Sequence, residues 1–130
     1  MKYMLMMSGT KADMQQFGTL SPDEIRAHIR FMKQLNEELK ASGELVDAQG
    51  LSGPDQAKIV RARPGGGAAA VTDGPFPESK EFLAGYWIVD CRSYERAVEI
   101  AARASAAPGR AGVPLNIPIE LREVGVAPDV

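Results

Sequence analysis

Leu83-Ala84-Gly85-Tyr86-Trp87-Ile88-Val89 reads as a β-strand, and the distribution of its apolar residues decides the architecture. Aromatic and β-branched side chains suit an extended chain, yet residues 86–89 are apolar at odd and even positions alike. A strand facing water on one side would alternate, so both faces of this sheet need cover. The opening Tyr3-Met4-Leu5-Met6-Met7 has the same character. Outward from these two, the strand candidates are residues 2–8, 44–52, 57–63, a short 68–72, 84–91 and 115–124. Turn signals fall at Ser52-Gly53-Pro54-Asp55 and Pro64-Gly65-Gly66-Gly67.

Two helices separate the strands. In Ser21-Pro22-Asp23-Glu24, a Ser N-cap, a Pro at the first helical position and a Glu three residues on form a capping box. Ile25, Ile29, Met32, Leu35 and Leu39 then recur at helical spacing until Ser42-Gly43, which predicts an amphipathic helix over 22–42. A second helix is expected over 93–107, rich in alanine and ending before Pro108-Gly109. The order is β-α-β, a β-hairpin, then β-α-β, which is the ferredoxin-like split βαβ pattern (βαββαβ) with an inserted hairpin in an α+β fold. Two helices cover one face of the sheet, and the pattern offers no third helix for the other. A second copy is the simplest lid, and sheet-to-sheet packing of two chains makes a homodimer, a dimeric α+β barrel.

The 130 residues fit one domain, expected over 1–124 with a tail at 125–130. A composition 45% hydrophobic and 25% charged is that of a folded globular chain. A net charge of −2 supplies no basic field for nucleic acid or anionic lipid, and no run approaches about 18 apolar residues, so neither nucleic acid nor membrane is an expected partner. One cysteine, Cys91, makes no internal disulfide, and no His/Cys/Asp cluster has metal-ligand spacing. The expected location is cytoplasmic, with no metal and no cofactor.

The most distinctive stretch is Asp73-Gly74-Pro75-Phe76-Pro77-Glu78-Ser79-Lys80-Glu81, leading directly into the strand quoted above. It resembles the signature of the YCII-related, or DGPF-domain, family. Gly50-Leu51 after the second strand, Val71-Thr72 before the motif and the closing Ile119-Glu120-Leu121-Arg122-Glu123-Val124 extend the resemblance over nearly the whole chain. It implies a ferredoxin-like, usually dimeric fold in a group mostly without assigned reactions, a subset of which sits beside sigma factors of the extracytoplasmic type.

Physically, Asp73-Gly74 is a turn pair, and Pro75 and Pro77 fix two φ angles around Phe76, so the motif is a stiffened corner. One reading holds the Asp73 carboxylate at a cleft mouth as base or ligand acceptor, with Lys80 as counter-charge and Glu81 beside it. The other has Asp73 capping its own turn while Phe76 plugs the core. His28, the one histidine, falls in the apolar row Ile25, His28, Met32, Leu35, Leu39 and should point toward the sheet, as a general acid or base or as a satisfied core-edge imidazole. Arg61 on the third strand and Arg122 on the last alternate with apolar neighbours, which puts guanidinium groups on the helix-free face, suited to a carboxylate ligand or to an inter-subunit charge network. Two functions follow. One is a dimer binding an anionic small molecule near the Asp73 corner, with a regulatory role tied to sigma factors. The other is a cofactor-independent enzyme moving protons with Asp73, with or without His28.

Overall fold

The computed structural model describes residues 1–76 and 80–130. Along the described chain run β1 (Lys2–Gly9), α1 (Lys11–Phe17), α2 (Pro22–Ala41), β2 (Leu45–Gly50), β3 (Lys58–Arg61), β4 (Ala70–Asp73), β5 (Phe82–Asp90), α3 (Tyr94–Ser105) and β6 (Ile119–Glu123). β2, β5, β1 and β6, in that order, form one antiparallel sheet, while among the described residues β3 and β4 pair only with each other, as a separate ribbon. Without the ribbon, the order is consistent with a ferredoxin-like α+β arrangement. Among the described residues no helix is long and apolar enough to cross a membrane.

Local chemistry sets the helix ends. The Ser21 hydroxyl accepts from the Glu24 amide at 3.1 Å and the Glu24 carboxylate accepts from the Ser21 amide at 2.9 Å, which starts α2. Gly43, at φ 78°, takes the left-handed turn that ends it. Ser93 caps α3 through the Arg96 amide at 3.1 Å. Both long helices lie on one face. Tyr3, Leu5, Trp87 and Val89 from the sheet form a single core with Leu35 and Leu39 of α2 and with Ala97, Ile100 and Ala104 of α3. The small α3 residues let that helix approach the sheet closely. Cys91 is buried at the sheet end and its thiol donates to the Ser93 carbonyl.

α1 is a third helix that the apolar spacing does not predict. The Thr10 hydroxyl and the Asp13 carboxylate form a second capping box, at 3.1 and 2.9 Å, and no α1 residue is buried. The Phe17 ring meets His28 edge-on, with centroids 5.0 Å apart, so α1 stands beside the start of α2 and not across the other sheet face. That other face carries Met4 and Met6 of β1, flanked by Ile88 and Tyr86 of β5 and by Arg122 and Glu120 of β6.

Candidate functional site

Three rows of cross-strand neighbours run along the helix-bearing face. Leu45, Val89 and Tyr3 make the first, and Ala48, Trp87, Leu5 and Leu121 the second. Apart from Ala48 these are large side chains, and they pack under α2 and α3. The third row reads Gly50, Gly85, Met7, Ile119. Two adjacent glycines leave nothing to fill the space between sheet and helix, and a cavity of about 800 Å³ opens there. Met14 and Phe17 of α1 line it on one side, and His28, Met32 and Asn36 of α2 on another. The last three recur every four residues, which makes one stripe of the helix.

Several polar groups of the cavity wall are held in place by hydrogen bonds. His28 Nδ1 lies 3.0 Å from the Pro108 carbonyl. A carbonyl only accepts, so Nδ1 donates to it, and Nε2 is the ring nitrogen left without a protein partner among the described residues. Trp87, only 6% exposed, donates its indole N–H to Asn36 Oδ1 at 2.8 Å, which leaves the Asn36 amide hydrogens as donors. Two more bonds tie the segment after α3 to the start of α2. The Ala111 amide donates to Glu24 at 2.6 Å, and the Arg110 guanidinium donates to the Thr19 hydroxyl at 2.8 Å. Amides of Ser21 and Ala111 donating to Glu24 hold its carboxyl below the ordinary range. Arg110 and Thr19 both line the cavity, and Asp13, also in its wall, spends one carboxylate oxygen on the Thr10 amide. Arg110 and the Asn36 amide hydrogens therefore offer donors in the cavity wall.

The sequence-derived candidates fall in four places. His28 lines the cavity, half-buried on the face that the helical spacing assigns it. Asp73 ends β4 on the ribbon, where its exposed carboxylate pairs with Lys58 at 2.5 Å, and it is not among the cavity-lining residues. Arg61 is also on the ribbon, and Arg122 is on β6 on the helix-free face, so these two guanidinium groups belong to different sheets. Lys80 and Glu81 are exposed just before β5. The Phe76 ring is 52% exposed, which corrects the expectation of a core plug. The corner is braced by backbone instead. The Gly74 amide donates to the Ala57 carbonyl at 2.8 Å. Pro77, and Glu78 and Ser79 of the same motif, lie outside the described residues.

Asn36, Arg110 and the glycine pair were not singled out from the sequence. The His28, Met32, Asn36 stripe was visible there, as two polar residues bracketing a methionine on an otherwise apolar face. The pairing of Gly50 with Gly85 was not, since it depends on strand register.

Fold and cavity together define a small α+β domain whose hollow sits between an unfilled row of the sheet and its helices. The chain belongs to the YCII-related domain family, whose model matches residues 1–119. A protein of Rhizobium meliloti (strain 1021), described as uncharacterized, is 37% identical over 62 residues, covering 48% of this chain and 50% of that protein. The chain thus spans about half the length of the curated relative it matches.

Proposed function

We propose that this protein binds a small organic acid in the cavity under α2, with the apolar body against Met7, Met14 and Trp87 and the carboxylate facing His28 and Arg110. The observation that carries the reading is a set of held polar groups, Arg110 and Asn36 among them as donors, inside a mostly apolar hollow, the usual composition of a small-molecule site. An acid–base pair of Asp73 with His28 has less support, because Asp73 stands on the ribbon in an ion pair with Lys58 while His28 lines the cavity.

The functional unit in this proposal is a homodimer formed through the helix-free face. The apolar residues Met4, Met6 and Ile88 on that face support it. So do Glu120 and Arg122, which alternate in sign along β6. In a two-fold pairing, Glu120 of each copy faces Arg122 of the other.

Trp87 is the one tryptophan of the chain and lines the cavity, so its emission reports occupancy. Titration with octanoate and cinnamate should give a saturable change at micromolar to low millimolar acid. His28→Leu should weaken it by at least about tenfold, the loss of one charge-assisted hydrogen bond. Asp73→Asn should bind like the parent. An unchanged Trp87 signal with both acids, together with no bound acid in native mass spectra, would overturn the proposal.

A further inference from the structure

We infer that the acid taken by this cavity carries a flat ring system, laid on the bare backbone of Gly50 and Gly85. The inference rests on the cavity-binding proposal above and specifies its ligand class.

Gly85 and Gly50 are glycines for different reasons. A Cβ on Gly85 would meet the Gln49 carbonyl oxygen at 3.0 Å, so strand pairing by itself accounts for that residue. A Cβ on Gly50 would meet no atom within 4 Å, and the backbone there is not left-handed. Neither packing nor conformation demands glycine at position 50. What its missing side chain does is keep the cavity floor flat, level with Gly85 across the pair.

The neighbouring row shows what such a slot accepts. Trp87, itself a flat ring, fills the equivalent space between sheet and α2, and its polar edge bonds to Asn36 on the helix stripe. A ligand ring one row along would repeat the arrangement over the two glycines, with His28 as the stripe residue that receives its polar group. Rows on one face lie about 6.8 Å apart, two residues at about 3.4 Å. His28 precedes Asn36 by two helical turns, about 12 Å along the axis. Two fused rings bearing a terminal carboxylate match that span better than a single ring does. The walls agree with a ring as well. Met7, Met14 and Met32 supply sulfur, which packs favourably on aromatic edges, and Phe17 supplies an aromatic face or edge.

Calorimetric titration of the full chain with 2-naphthoate and with its ring-saturated counterpart, decahydro-2-naphthoate, tests the inference, because the two acids share charge and carbon skeleton and differ in flatness. The flat acid should bind at least about tenfold more tightly. Gly50→Val should keep the parent's circular dichroism and weaken 2-naphthoate by at least about tenfold, with Gly50→Ala, one methyl group, as the milder variant if the valine chain does not fold. Equal affinity for the two acids would overturn the flat-ring inference and leave acid binding standing. So would a folded Gly50 variant that binds 2-naphthoate like the parent. No heat and no Trp87 response with either acid would overturn both proposals together.

Discussion

Glu44, in the turn before β2, receives two parallel hydrogen bonds from the Arg96 guanidinium, both 2.9 Å, and one from the Ser42 hydroxyl at 2.8 Å. The pair is mostly buried and bidentate, the geometry in which an ion pair contributes most. The Arg96 bonds lower the Glu44 carboxyl to about 2 from an ordinary 4.5, against an opposing effect of burial. A carboxyl depressed in the folded state stabilises fully above its unfolded value and loses that contribution as pH falls through the folded one. Glu44→Gln should therefore cost about 1–3 kcal/mol at neutral pH, and its denaturant midpoint should fall less than the parent's between about pH 5 and about pH 3. Parallel losses in the two proteins over that range would show that Glu44 does not carry the acid sensitivity. Arg96 and Glu44 are 52 residues apart, so no local pattern announces their contact. Ser21 with Glu24 could be read directly, because both partners of a capping box lie within one turn.

Elements were legible where an apolar stripe had a core to face. The expected helix over 22–42 is found as Pro22–Ala41, and that over 93–107 as Tyr94–Ser105. The closing strand, expected over 115–124, is only Ile119–Glu123. Its first residues are diverted, since the Leu115 amide donates to the Ala107 carbonyl at 2.9 Å and the Ile117 amide to the Ser105 carbonyl at 3.2 Å, both at the end of α3. α1 escaped the spacing argument because it buries nothing, so no stripe is written into it. Its only sequence mark was Thr10 followed three residues on by Asp13. A seven-residue helix held by its cap and by side chains over a hollow should open readily. Amide exchange in α1 should be faster than in α2 in the free protein and slow markedly when 2-naphthoate fills the cavity beside Met14 and Phe17. Protection of α1 unchanged by ligand would mean that the helix is not part of the binding wall.

At the scale of the whole molecule, both faces of the sheet carry large apolar residues, as the strand sequences indicated, but α2 and α3 cover only one. Light scattering at micromolar concentration should return twice the chain mass of 14.0 kDa, and a mass of 14.0 kDa would refute the two-fold pairing of Glu120 with Arg122. Nothing in one sequence shows which strand face meets a helix and which meets another copy, since either neighbour rewards the same residues. The ribbon differs from both faces. Its cross-strand pair Val60 and Val71 is 65% and 60% exposed, and its ends are joined through Gly65, Gly66 and Gly67, all with left-handed φ between 80° and 93°. A two-stranded ribbon of this kind is marginal by itself and should open without the main sheet opening. To a protease the ribbon is an accessible stretch of backbone inside the chain. Trypsin should nick native protein after Arg61 and spare Arg63, whose next residue is Pro64, and the two fragments should stay together, because β1 and β2 on one side of the cut are hydrogen-bonded to β5 on the other.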